Sequence, residues 1–354
     1  MRLADRIAER IRSGGPISVA EYMHLCLHDP ADGYYAVRPA LGDRAGGGDF
    51  LTAPLVSQMF GELIGLWMID LWRQMGRPNP FRLVELGPGD GVLMSDILRA
   101  ARLEPGFLDA SDLWLVEPSQ PLRARQRLKL GPVGGQVDSL GDVPAGAPLL
   151  LVANEVLDCL PIRQWEWRDG SWKERRVGLA GDRLVFGLAP APGVAFDPAW
   201  EGAVREHSPA QEALGSDIAA RIAADGGAAL LIDYGRAEPG LGDTLQAVSG
   251  HAREDPLSRP GQADLTAHAD FPSVLAAARR EGIETSGPIS QGRFLTALGL
   301  EARAAALSRA RPDDSGRLRR QVERLTAPDQ MGELFLAAAL HSPGLRPPGF
   351  GGHG

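Results

Sequence analysis

Leu83-Val84-Glu85-Leu86-Gly87-Pro88-Gly89-Asp90-Gly91 is the stretch that decides the fold. An apolar run carrying one carboxylate ends in three glycines at alternate positions, and Val92–Ala101 follows at helical spacing. Strand, glycine turn and helix in that order make a binding loop. Glycine lets the backbone turn tightly and approach a ligand, while the helix N-terminus presents unpaired N–H groups and a partial positive charge. A dinucleotide fingerprint, G-x-G-x-x-G, would need glycine or alanine at position 92; Val92 stands there and the third glycine is Gly91. Glu85, two residues before the first glycine, favours a ligand bearing an ammonium and a sulfonium over one bearing pyrophosphate. Glu85, Gly87, Pro88, Gly89 and Gly91 therefore read as an S-adenosylmethionine loop. Glu117, closing the next apolar segment, can accept both ribose hydroxyls, and Asp138, after the following one, stands where it could bond the adenine amino group. Each feature alone could be a plain turn or a surface acid; the three acids together favour the cofactor.

Outward from this loop, apolar segments at 82–86, 113–117, 133–137, 149–153 and 228–233 alternate with helical patterns. That alternation predicts a doubly wound, Rossmann-like α/β core of parallel strands over residues 81–240. Ser119 marks a helix start, and Ser208-Pro209-Ala210-Gln211 combines a capping box with proline at the first helical position. The core is interrupted at 162–190, where period-two alternation on both sides of Asp169-Gly170 predicts an inserted hairpin, with Trp165, Trp167 and Trp172 packing across its strands. Residues 1–80 read as a helical cap over the cofactor pocket. Ser18-Val19-Ala20-Glu21 is a capping box, and Phe60, Leu63, Ile64, Trp67 and Leu71 define one face of a helix over 57–75. Between these helices lies the Gly-rich loop Gly46-Gly47-Gly48-Asp49-Phe50-Leu51-Thr52-Ala53-Pro54. Residues 241–341 supply a polar loop at 250–270, further helices and a final strand at 334–340, while 342–354, rich in Gly and Pro, are expected to be disordered.

At 354 residues the chain exceeds the usual size of a single core, so additions to the catalytic core are expected. A net charge of −8 argues against a nucleic-acid partner, and no apolar stretch reaches the roughly 18 residues of an integral membrane segment. Cys26 and Cys159 lack the spacing of a redox or zinc motif, and Met1 to Arg10 lack a secretory apolar run, so a cytoplasmic location is expected. His24, Cys26 and His28 have no convincing further ligands, so no metal is expected.

Ile17-Ser18-Val19-Ala20-Glu21-Tyr22-Met23, Asp29-Pro30-Ala31-Asp32-Gly33-Tyr34-Tyr35, Gly48-Asp49-Phe50-Leu51-Thr52-Ala53-Pro54, Glu85-Leu86-Gly87-Pro88-Gly89, Asn154-Glu155-Val156-Leu157-Asp158-Cys159-Leu160-Pro161 and Asp264-Leu265-Thr266-Ala267-His268 occur in that order. In these motifs the chain resembles the MidA family of class I methyltransferases over nearly its whole length, departing at Val156, Leu157 and Cys159. The resemblance implies methylation of a protein, with the mitochondrial member similar to an enzyme that methylates arginine in a respiratory complex I subunit. Asn154, Glu155 and Asp158 follow the fourth strand, at the crevice where a transferring methyl must emerge. Asn154 is assigned to the cofactor. Glu155 and Asp158, three apart on one face of a helical turn, can clamp a guanidinium, or they can simply hold the turn before Pro161. His268, with Asp264 near it, is the histidine best placed for catalysis, although a lone loop histidine is more often a hydrogen-bonded structural residue. Two rival functions remain at this point. One is methylation of a small molecule or of another protein side chain, and the other is a non-catalytic assembly factor retaining the fold.

The loop makes its own prediction. S-adenosylmethionine or its demethylated product, at a hundredfold excess over Kd, stabilises the chain by about 2.7 kcal/mol, so thermal melting moves up by several degrees. NAD leaves it unmoved. A melting shift with NAD alone would overturn the cofactor assignment.

Overall fold

Leu83, Leu150 and Leu230 face one hydrophobic layer while their neighbours Val84, Leu151 and Leu231 face another, and all six are buried. Strands buried on both faces belong in a parallel sheet covered by helices on each side. In the computed structural model, which describes residues 1–37, 52–250 and 252–351, this is the arrangement. Phe81–Leu86, Ser111–Val116, Gly135–Val137, Leu149–Asn154 and Gly227–Arg236 are the parallel strands. Counted in chain order they lie 3-2-1-4-5 across the sheet. The order reverses between Phe81–Leu86 and Leu149–Asn154, and a ligand crevice opens beyond the carboxyl ends of strands at such a point.

The far edge differs from a purely parallel sheet. Phe335–His341 runs antiparallel between Gly227–Arg236 and Glu284–Ser290. The latter is not legible as a strand because Gly287-Pro288 breaks its pattern, and the register shifts there between Ser286 and Ile289. An edge position tolerates that break.

Helices Gln58–Gln74 and Val92–Ala101 cover one face through Phe60, Trp67, Leu93 and Ile97; Pro209–Asp225 and Phe271–Arg280 cover the other through Ile218, Ile222, Phe271 and Val274. Gly65 lets the first two helices touch, since a Cβ there would sit 2.9 Å from the Ile97 carbonyl oxygen. Gln58–Gln74 is thus a core helix and not part of a cap over the cofactor pocket. The earlier helices, Leu3–Gly14 and Val19–His28, also lie elsewhere, packing Leu3, Ile7, Tyr22 and Met23 against Val177 and Leu265. From this N-terminal segment, Tyr35 and Thr52 to Leu55 reach the crevice. Of the expected Gly-rich loop, Gly46 to Leu51 lie outside the described residues.

The insertion is larger than a hairpin. Arg163–Arg168 and Ser171–Ala180 pair around Asp169-Gly170, both at positive φ as a type I′ turn requires. Arg183–Pro190, Val204–His207 and Ile17–Ser18 complete a five-stranded sheet. The expected boundary at 190 therefore gives way to one near 207. The polar segment at 250–270 likewise contains strands: Ala252–Glu254 and Asp264–Thr266 flank Gln246–Ser249. The tail corrects the expectation of disorder through residue 351. Phe350 packs against Phe294 with ring centroids 5.1 Å apart, and Trp67 Nε1 donates to the Pro348 carbonyl at 3.2 Å. Its Gly and Pro content prevents regular structure without preventing tertiary packing. Among the described residues no helix is long and apolar enough to cross a membrane.

The glycine loop is tied from behind. Fully buried Gln126, on Gln120–Leu130, donates to the Gly89 carbonyl at 2.7 Å and accepts from Gln136 Nε2 at 2.7 Å. Gln126→Leu leaves the buried Gly89 carbonyl unpaired, a cost of about 1–3 kcal/mol, while the Gln136 amide keeps the Arg123 carbonyl at 3.0 Å. Urea unfolding of the variant should show a lower midpoint at an unchanged slope, with weakened cofactor affinity. An unchanged midpoint would show that these bonds do not hold the loop.

Candidate active site

A cleft enclosing about 750 Å³ of space, open solvent included, lies at the switch point, where such sheets place their ligands. The loop after Phe81–Leu86 forms one wall. Gly87, Gly89 and Gly91 have φ of 61°, 54° and 82°, so the turn demands the left-handed conformations glycine takes readily. A Cβ on Gly87 would also press on Val156 Cγ2 at 3.0 Å. Glu85 is buried at the base of this wall, and desolvation pushes its carboxyl up to about 8. Glu85 Oε2 and Asn154 Oδ1 are buried without a hydrogen-bond partner among the described residues, and both residues line the cleft. Two unsatisfied acceptors beside a helix N-terminus suit a ligand that brings an ammonium together with a carboxylate. S-adenosylmethionine brings both, and the residues present fit it.

The opposite wall is acidic. Glu155 follows Leu149–Asn154 with φ 55°, a left-handed conformation uncommon for a residue with a side chain and worth about 1–3 kcal/mol of strain. Its amide donates to the Ile232 carbonyl at 2.9 Å, and its Oε1 accepts from Asn154 Nδ2 at 3.1 Å and the Ala53 amide at 3.4 Å. Asp158 sits on a turn, not on the helical face its spacing suggested. Asp233 explains the turn: its Oδ2 accepts the amides of Leu157 at 2.8 Å and Asp158 at 3.2 Å, and its Oδ1 accepts that of Tyr234 at 2.8 Å. Asp264, which accepts from Tyr35 Oη at 3.1 Å, adds a further carboxyl to the lining. The Tyr234 hydroxyl lies beside Asp158 and Thr266 without a hydrogen bond of ordinary geometry. Burial, followed by the neighbouring Asp158, lifts Glu155 to about 8; burial lifts Asp158 to about 6 and Asp233 well above the carboxylate range. No lysine, arginine or histidine lines the cleft among the described residues.

Of the residues expected from sequence, Glu85, Gly87, Pro88, Gly89, Asn154, Glu155 and Asp158 share this one cleft. Four others do not line it. Gly91 caps the helix behind the loop. Glu117 is buried at the end of the neighbouring strand, its Oε1 accepting the Ser119 amide at 2.9 Å, with burial raising it to about 7. Asp138 has a side chain 73% exposed and an ion pair with Arg123 at 2.5 Å, outside the lining of this cleft. His268 sits behind Tyr234, ring centroids 5.8 Å apart, with its amide donating to Thr244 Oγ1 at 2.9 Å. His268 therefore lies outside the lining of this cleft. Sequence reasoning passed over Tyr35, Asp233, Tyr234, Asp264 and Thr266 as site residues. Asp233-Tyr234 ends the fifth parallel strand, so the same crevice rule that selected Glu155 would have selected them.

Known proteins point the same way. The profile of an S-adenosyl-L-methionine-dependent methyltransferase family, Methyltransf_28, matches residues 63–289. The chain is 37% identical to the protein arginine methyltransferase NDUFAF7 homolog, mitochondrial, of Drosophila melanogaster, over 96% of this chain and 84% of that protein. It is also 37% identical to the human protein arginine methyltransferase NDUFAF7, mitochondrial, over 94% of this chain and 81% of that protein. A Burkholderia thailandensis crystal structure with S-adenosyl-homocysteine bound superposes with TM-score 0.82 at 28% identity, covering 99% of this chain and 92% of that one. The chain belongs to the MidA family of S-adenosylmethionine-dependent methyltransferases. Its cofactor is S-adenosylmethionine, and the MidA resemblance read from the motifs is borne out. The expectation of a cytoplasmic location is overturned, because the relatives are named as mitochondrial proteins.

The raised carboxyls set a pH dependence. Below about 6 both Asp158 and Glu155 are neutral, and they ionise in turn as pH rises through about 6 and about 8. A cationic acceptor is attracted only by the ionised forms. With cofactor saturating, kcat/KM for such an acceptor should rise across this range, and a flat profile would remove both groups as cation ligands.

Proposed function

We propose that this MidA-family enzyme methylates a guanidinium nitrogen of an arginine in a protein, the activity named for its relatives. The supporting observation is that Glu155, Asp158 and Asp264 line one cleft, with Asp233 buried behind them and no lysine, arginine or histidine in the lining among the described residues. Burial makes the charged forms of Glu155 and Asp158 costly and raises both carboxyls; a guanidinium entering beside them offsets that cost. Its planar fork matches paired carboxylate oxygens, and its charge persists at every working pH.

When bound, S-adenosylmethionine supplies an electrophilic methyl group on a sulfonium. Glu85, Asn154 and the glycine loop would hold it. Glu155 and Asp158 would hold the acceptor guanidinium at the cleft's other wall, and a carboxylate there receives the proton that the methylated nitrogen must release. Proximity and alignment supply most of the rate for such a transfer. A respiratory complex I subunit is the protein acceptor to which the family resemblance points.

Glu155→Gln and Asp158→Asn change volume little but remove charge. Each should leave calorimetric cofactor affinity nearly intact and depress single-turnover transfer to a protein acceptor, by on the order of a hundredfold for a lost charged hydrogen bond. Normal turnover in both folded variants would return these acids to a structural role.

A further inference from the structure

Helix Ala53–Val56 is a single turn with a surface on either side. Half-buried Leu55 lines the carboxylate cleft on one side and a second groove, about 710 Å³, on the other. Val56, Leu307 and Leu318 give that groove apolar walls, Gln58 and Gln321 add polar ones, and Arg311, Arg317 and Asp314 stand on its rim. The rim belongs to a basic surface. Arg309, Arg311, Arg317, Arg319, Arg320 and Arg324 are all exposed, with Asp313, Asp314 and Glu323 the only acids between them in sequence, in a chain of net charge −8. Arg317 pairs with Asp314 at 3.0 Å, while Arg311 has no ion pair among the described residues.

Fields of opposite sign therefore meet across one helical turn. We propose that this groove binds an acidic stretch of the acceptor polypeptide while that polypeptide's arginine enters the cleft; the inference rests on the arginine reading above. A polypeptide fits better than a lipid surface, because the groove is concave and shares Leu55 with a cleft that a membrane face cannot enter. The spacing follows from geometry. A helix with its side chains is about 10 Å across, and an extended chain advances roughly 3.3 Å per residue, so the acid recognised lies about three positions from the arginine.

The test uses calorimetry on the full chain in the presence of S-adenosyl-homocysteine. Synthetic peptides of about a dozen residues carry one arginine, flanked three positions away by Asp in the first and by Lys in the second. A third repeats the Asp flanks with Gln in place of the arginine. The Asp-flanked peptide should bind on the order of tenfold more tightly than the Lys-flanked one, and less so at high salt. Arg311→Glu/Arg317→Glu should erase that preference while cofactor affinity stays unchanged, which shows that the variant is folded. Equal binding of the first two peptides, no binding of the Asp-flanked peptide, or a preference that survives the double variant would each overturn the groove. Equal binding of the first and third peptides, with the flank preference intact, supports the groove and defeats only the arginine reading. Displacement of the Asp-flanked peptide by phosphatidylserine vesicles, dependent on the two arginines, would assign the surface to a membrane and overturn the proposal.

Discussion

Asp233 accepts three main-chain amides with one fully buried carboxyl group, and the geometry of the site depends on that convergence. Two of the amides belong to the turn after the fourth parallel strand and the third to the end of the fifth. Without this shared acceptor the turn would carry unpaired buried N–H groups, each costing about 1–3 kcal/mol. With it, Glu155 is held in its left-handed conformation and Asp158 is aimed into the cleft. The same turn is braced from behind by buried Gln211, which donates to the Leu157 carbonyl at 2.9 Å and accepts the Asp270 amide at 2.9 Å. The acceptor wall is therefore built from rigid strand ends, as a site that works by alignment requires.

The second constraint is electrostatic. Burial, followed by the neighbouring Asp158, raises Glu155, and no lysine, arginine or histidine lines the cleft among the described residues. Glu85 shows the same logic at the cofactor wall, where burial raises an acid that faces an ammonium site. Both walls thus carry acids whose charged forms burial disfavours.

The parallel strands and their helices were legible because burial on both faces and clear capping signals survive in any context: Ser18, Ser119 and Ser208 stand at the helix starts where they were expected. Glu284–Ser290 was not legible, since an edge strand draws its identity from the partner it pairs with. The strands at 252–254 and 264–266 escaped notice for the same reason, being short and polar. In the site, the glycine loop, Asn154, Glu155 and Asp158 were readable from their place after strand ends. Asp138 and His268 fall outside the cleft lining because chain position says which end of a strand a residue follows, without saying which way its side chain turns.

The sequence by itself determined the doubly wound core, the switch-point loop and the choice of cofactor, because glycine spacing and a carboxylate before the first glycine are local chemistry. Tertiary structure alone decided the rest. It brought Tyr234, Asp264 and Tyr35 from distant segments around one cleft with Asp233 buried behind it, paired Asp138 with Arg123 and packed the Gly- and Pro-rich tail against Gln58–Gln74. The physical reason is range. Turns and helix caps are fixed by neighbours along the chain, whereas the field inside a cleft is the sum over groups that only folding makes adjacent.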